Sequence, residues 1–235
     1  MSFGSLDLEM LAISATVECR TAHPGAIIGL LELSGLEDTG SFSRLNERKR
    51  EIEARLRERY KDFARQDFLA LPVMAEYNRY YKRFNKTYHL LLQLESIVLK
   101  GKHLPEVSPA VDANFMAELE TLVLTAGHDC RKLLGPIVMD VSREGEQMTQ
   151  MNGMSKAIRS GDMIMRDAEG ICCSIIYGQD ARSPISPGTS HVLYVAYAPA
   201  GVPAEAVESQ LRGIEENIRL FSVDTTVEQR RLLTA

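Results

Sequence analysis

Two short polar stretches hold the residue types from which a reactive site can be built. The first is VDANFMAELETLVLTAGHDCRKL, residues 111–133, where Asp112 and Asn114 open an apolar-periodic segment and His128 and Asp129 follow its end. Carboxamide, imidazole and carboxylate groups at element ends can converge on a pocket mouth, where they hold a water or polarise a carbonyl. The same residues have a structural reading, in which Asp112 favours the positive terminus of a helix and His128 and Asp129 are water-binding loop residues. The second stretch is YGQDARSPISPGT, residues 177–189, in which Tyr177, Gln179, Asp180, Arg182 and Ser183 leave a buried strand. Connections of that length between strands often carry binding groups. Its plain alternative is a surface loop with an Asp180–Arg182 charge pair.

Other chemistries find less support. His23, His89, His103, His128 and His191 show neither HxxxH nor HxH spacing, so no metal is expected, and nothing calls for a cofactor. SGLEDTGS has two glycines but no phosphate-loop lysine, and no serine sits in a GxSxG elbow. Cys19, Cys130, Cys172 and Cys173 lack CxxC spacing and read as reduced core thiols. The methionines, Met148, Met151, Met154, Met163 and Met165 among them, suit flexible core and rim packing.

The elements that must position these groups follow from periodicity. LEMLAISATVEC and GAIIGLLEL read as two strands divided by the RTAHPG turn. Leu45, Ile52, Leu56, Tyr60 and Phe63 mark one helix face beginning near Ser41 or Ser43, and further helices are expected from Pro72 to Phe84 and from Tyr88 to Leu99. Ser108 caps a helix with Pro109 in its first turn, predicted to run to Gly127. From Pro136 onward the pattern becomes short strands: PIVMDV, EQMTQM, DMIMRD, GICCSIIY and SHVLYVAY. A last helix over 203–221 carries Val207, Leu211, Ile214, Ile218 and Phe221 on one face, and the polar tail beyond Asp224 is expected to fray. The class is α+β, with N-terminal strands and helices followed by a mainly antiparallel sheet and a C-terminal helix. One domain over 1–235 is expected.

Charge limits the partners. A net charge of −5 disfavours strong unspecific nucleic-acid binding, which leaves a basic excess over a domain. Arg44 to Lys61 interleaves acids and bases as a solvated helix does. NRYYKRFNK, residues 78–86, places Arg79, Lys82, Arg83 and Lys86 beside two tyrosines with no acid; it is either an RNA contact or a helix with aromatic anchors and snorkelling basic side chains. No apolar run is long enough to span a bilayer and no signal peptide opens the chain, so a cytoplasmic protein without membrane contact is expected.

The order LKGKHLP, VDANF, AGHDCRKLLGPIVMDVSREGEQ and SGDMIMRDAEGICC resembles the B3/B4 domain of the phenylalanyl-tRNA synthetase β subunit, and more closely the free-standing B3/B4 proteins, over roughly residues 70–197. Free-standing relatives show an RWNWRQSxRT strand and loop; here SIIYGQDARSP keeps Gln179 and Arg182 without the tryptophans. The resemblance implies an α+β tRNA-interaction module that, in the synthetase, hydrolyses a wrongly esterified amino acid without a metal. It implies that Asn114, His128 and Asp129 hold water or the carbonyl, while Gln179 and Asp180, with Asp112, Tyr177, Arg182 and Ser183, hold the aminoacyl group. Three readings stay open: trans-editing of mischarged aminoacyl-tRNA, a non-catalytic module for an amino-acid-like small ligand, and an RNA-binding partner of another enzyme. Whether the chain is an enzyme and its oligomeric state are undetermined at this level.

Overall fold

A computed structural model describes residues 11–37 and 42–234. The chain begins with β1 (Ile13–Ala15), α1 (Val17–Ala22) and β2 (Ile27–Ser34), then four helices: α2 (Ser43–Arg59), α3 (Arg65–Ala70), α4 (Pro72–Lys82) and α5 (His89–Val98). After α6 (Pro109–Thr121) come β3 (Thr125–Asp129), β4 (Ile137–Val141), β5 (Gln147–Thr149), β6 (Ser155–Ala157), β7 (Met163–Arg166), β8 (Ile171–Ser174), β9 (Gly178–Gln179) and β10 (His191–Ala198). Helix α7 (Ala204–Ile218) and β11 (Thr226–Thr234) close the described chain. The class is α+β, as the patterning implies.

Two sheets carry the core. One has the order β1-β4-β7-β8-β9, with only the β1–β4 pair parallel; the other is antiparallel, β11-β2-β10-β3; β5 and β6 form a separate ribbon. Strand β10 is buried along its whole length, which the apolar run VLYVAYA after His191 requires. Helix α7 lies on the second sheet at Gly29, where a Cβ would meet Val207 Cγ1 at 2.6 Å, so the glycine sets how closely helix and sheet approach. Across the other face, Cys173 of β8 reaches Tyr197 of β10, and one contiguous apolar cluster takes residues from both sheets and from the helices.

Four local expectations need correction. The first predicted strand is broken after Ala15, because the Thr16 hydroxyl accepts the Cys19 N–H at 3.0 Å and caps a helix instead. Helix α6 stops at Thr121 rather than Gly127: Leu122 turns left-handed at φ 63°, its carbonyl taking the Tyr88 hydroxyl at 3.0 Å, and Gly127 falls inside β3. The tail beyond Asp224 does not fray, since Thr226–Thr234 pairs with β2 and covers what would otherwise be an open sheet edge. Helix α2 is not solvated all round, because Lys49 and Glu53 are buried. Short α3 carried no clear periodicity; its first turn is held by the Asp67 carboxylate accepting the Ala64 N–H at 2.8 Å. No helix among the described residues is long and apolar enough to cross a membrane.

Candidate functional site

A cavity of about 590 Å³ opens between α6, β3 and the chain from Cys173 to Gln179, with Tyr194 and Tyr197 of β10 contributing to its wall. Its size suits an amino-acid-sized ligand, and its walls are mainly apolar. The polar side chains that reach it include Asn114 and Glu118 from α6, Thr125 from β3 and Gln179 from β9; His89 and Tyr177 line it as well.

Helical spacing places Asn114 and Glu118 one turn apart on the same face of α6. Asn114 is held on each side: its Nδ2 donates to the Thr125 carbonyl at 3.2 Å, its Oδ1 accepts from Gln210 Nε2 at 3.2 Å, and its side chain also bonds the Glu118 carboxyl. Gln210, fully buried on α7, also donates to Thr125 Oγ1 at 3.0 Å and accepts from the Thr121 hydroxyl at 2.6 Å. Glu118 is fully buried; its Oε1 accepts the Thr125 N–H at 2.7 Å. Desolvation pushes its carboxyl up to about 8, because the bonds from Thr125 and Asn114 only partly offset the loss of water. Near neutral pH the group is therefore a carboxylic acid, able to donate as well as accept. Burial holds His89 down at about 4, so its ring is a neutral wall element.

From β9, Gln179 Nε2 donates to the Gly127 carbonyl at 2.8 Å and approaches His128 Nδ1 at 3.0 Å. A Cβ at Gly127 would lie 2.6 Å from Ile185 Cδ1, which is why β3 carries glycine where it passes the loop. Met151, 63% exposed, stands among the cavity residues as a rim group.

The nine residues that the sequence singled out as catalytic or substrate-binding are thus divided. Asn114, Tyr177 and Gln179 line the cavity; the others do not. His128 is fully buried, its Nδ1 bonded to Ser183 Oγ at 2.8 Å, and desolvation lowers it to about 3. Its Nε2 has no hydrogen-bond partner. Asp129 is buried, with Oδ2 accepting the Thr189 hydroxyl at 2.9 Å and Oδ1 accepting the Arg131 N–H at 3.1 Å. Asp180 accepts the Ser183 N–H at 3.0 Å and the Ser183 hydroxyl at 2.5 Å, which closes the turn. Arg182 makes a two-pronged pair with Asp167 at 2.7 and 2.9 Å and lies 3.5 Å from Asp180. Asp112 points the other way, to Lys49 Nζ at 2.6 Å and the Val107 N–H at 3.0 Å, in a pair from which water is excluded. His128, Asp129, Asp180, Arg182 and Ser183 brace the loops that carry Gln179 and β3, while Asp112 ties α6 to α2.

The basic segment divides as its pattern allows. Tyr80 donates to Asp162 at 2.6 Å and Tyr81 to the Ile175 carbonyl at 2.7 Å, so the tyrosines anchor α4 in the core behind the cavity wall. Arg79, Lys82, Arg83 and Lys86 stay exposed. Arg79 pairs with Glu76, Arg83 lies over the Tyr80 and Phe84 rings at 5.2 and 5.5 Å, and Lys82 and Lys86 line a shallow cleft with Arg65.

The sequence reading missed Glu118, Thr125 and His89. The i, i+4 relation of Asn114 and Glu118 was the available signal; it reads as an interrupted apolar stripe, since both are polar on a face otherwise destined for burial.

The sequence model of the B3/4 domain matches residues 76–219, more than half the chain. The chain belongs to the B3/4 domain family. The matched span holds Asn114, Glu118, Thr125 and Gln179 of the cavity wall. Among solved structures, an N-terminal fragment of the phenylalanyl-tRNA synthetase β subunit from Pyrococcus horikoshii is similar at 9% identity and a TM-score of 0.45, over 89% of this B3/4 chain and 48% of that chain. The B3/4 chain thus spans about half the length of that relative. No curated protein matches it.

Proposed function

We propose that this B3/4 chain is a tRNA-interacting module that takes the aminoacyl end of a charged tRNA into the cavity beside α6 and hydrolyses esters whose side chain fits. The observation that carries this reading is the cavity itself: apolar walls for a side chain, with Asn114, Thr125, Glu118 and Gln179 converging on it. In that reading the Gln179 amide oxygen accepts from a water and, with Asn114 beside it in the wall, holds that water against the ester carbonyl. Water adds to the acyl carbon, the ester C–O bond breaks, and the products are the free amino acid and the tRNA terminal hydroxyl. Glu118, as an acid, sorts side chains by offering one polar partner in an apolar pocket. The exposed Arg79, Lys82, Arg83 and Lys86 supply contacts to phosphates, and the reaction belongs in the cytoplasm, where tRNA is charged.

A second reading is favoured by the net charge of −5 and by the Glu76 carboxylate that already neutralises Arg79: a module that binds a free amino acid without RNA contact. One experiment separates them. A panel of correctly and wrongly charged tRNAs is incubated with the full chain, with Gln179→Ala and with the cavity-filling Ala126→Phe, while tRNA binding and deacylation are both recorded. Selective deacylation lost in both variants is expected. Deacylation unchanged in both sinks the cavity as the site; amino-acid binding by calorimetry with no tRNA binding leaves the second reading.

A further inference from the structure

Outside the cavity, three side chains with metal-ligating chemistry meet between the ends of three strands. Glu32 lies in β2, His191 opens β10, and Cys130 follows β3 directly. The register explains the meeting. His191 faces Ser34 of β2 and Val192 faces Asp129 of β3, so Cys130 comes level with His191, and Glu32 stands two residues from Ser34 on the same face of its strand. Their donor atoms all lie within 4.8 Å of one another, and all three residues are buried. His191 Nε2 and Glu32 Oε1 are 2.8 Å apart, while Glu32 Oε2 accepts from Gln229 Nε2 at 2.5 Å and from the Leu11 N–H at 3.2 Å. Gln229 and Leu11 thereby fix the carboxylate in the way outer-shell groups fix a ligand.

We propose that Glu32, Cys130 and His191 form a binding site for one divalent cation of the zinc class. A thiolate with an imidazole selects zinc-like ions over magnesium or calcium, which want oxygen donors alone. Zinc bonds of about 2.0–2.3 Å put tetrahedral ligand atoms about 3.3–3.8 Å apart, so the Glu32–His191 edge opens by about 0.5 Å and the edges to Cys130, none longer than 4.8 Å, close by no more than about 1.5 Å. Charge balances too: one carboxylate, one thiolate and one neutral imidazole cancel a double positive charge, leaving no net charge in a buried place. On binding, the proton on Nε2 moves to Nδ1 of His191, the Cys130 thiol gives its proton to solvent, and three metal bonds form. One proton is released per ion, and water takes the fourth position.

The site is independent of the cavity, which none of the three residues lines, and Glu32 lies outside the span matched by the B3/4 domain. Its ligands are far apart in the chain, which is why histidine spacing shows no motif. A bound ion would cross-link β2, β10 and β3.

The test uses the full chain, stripped by chelator under reducing conditions and titrated with Co²⁺, then Zn²⁺. One equivalent of Co²⁺ should give visible tetrahedral bands and a thiolate-to-cobalt charge-transfer band, with one proton released, and Zn²⁺ should abolish both bands. Cys130→Ser should lose the charge-transfer band. Gln229→Leu should keep it with roughly 10–100-fold weaker binding. Absence of the band in the parent chain, or the same band in Cys130→Ser, overturns the site. Should Cys130→Ser not fold, Gln229→Leu decides, since unchanged affinity there overturns it as well.

Discussion

Replacing Glu118 by glutamine should remove a pH dependence of stability that the cavity wall imposes on the fold. In the folded chain burial raises this carboxyl from 4.5 to about 8. The folded state therefore holds a proton that the unfolded chain releases, and stability falls as pH rises from 4.5 to about 8, then levels off. At about 1.4 kcal/mol per pH unit, the wild type should lose about 4 kcal/mol relative to Glu118→Gln between about pH 5 and about pH 8.5. Glutamine keeps an Oε1 to accept the Thr125 N–H, so the comparison isolates the charge. Asp162, raised to about 6 by burial in spite of bonds from Ser174 and Tyr80, slopes the same way in both proteins and cancels in the difference. Urea titrations of both proteins across that range provide the measurement. A difference flat to within about 1 kcal/mol would show that Glu118 is ionised in the fold, through water or an unseen cation, and that the cavity presents an anion rather than an acid.

Lys49→Met should cost about 3–5 kcal/mol by leaving the Asp112 carboxylate buried without its partner, whereas Lys49→Met with Asp112→Leu should recover most of that loss; ligand binding weakened specifically by the double change would return Asp112 to the site. His128, lowered by desolvation to about 3, should stay neutral in NMR titrations down to about pH 4. Stability should fall as pH drops from 6.5 toward 3, and a protonation midpoint near 6.5 would show that the ring is solvent-accessible. Removing residues 226–234 should uncover β2 and yield an aggregating chain without a cooperative transition; a monomer of unchanged Tm would mean that β11 contributes little.

Much of this protein follows from local patterning. The α+β class, five of the seven helices among the described residues, strands β4, β5, β7, β8 and β10 and the Ser108–Pro109 helix start were legible because each depends on neighbours within a turn or a pleat, whereas β6 and β9 were not read. The elements read less well are those in which a distant group outweighs local preference. Leu122 ends α6 early with Tyr88 bonded to its carbonyl, and β2 gives a polar tail an edge to pair with. The site divides along the same line. Asn114, Tyr177 and Gln179 could be found from their place beside apolar segments, but a polar residue at an element end points toward a cavity or away from it according to what lies across from it. Asp112 meets Lys49 from α2, His128 meets Ser183, and Arg182 meets Asp167, each pair separated by 15 residues or more. Residue type and periodicity determined which groups could act; only the packing of α6 against α7 and of β3 against the 177–189 loop decided which of them face the cavity, because a buried charge or imidazole settles beside whichever partner the tertiary structure brings within about 3 Å.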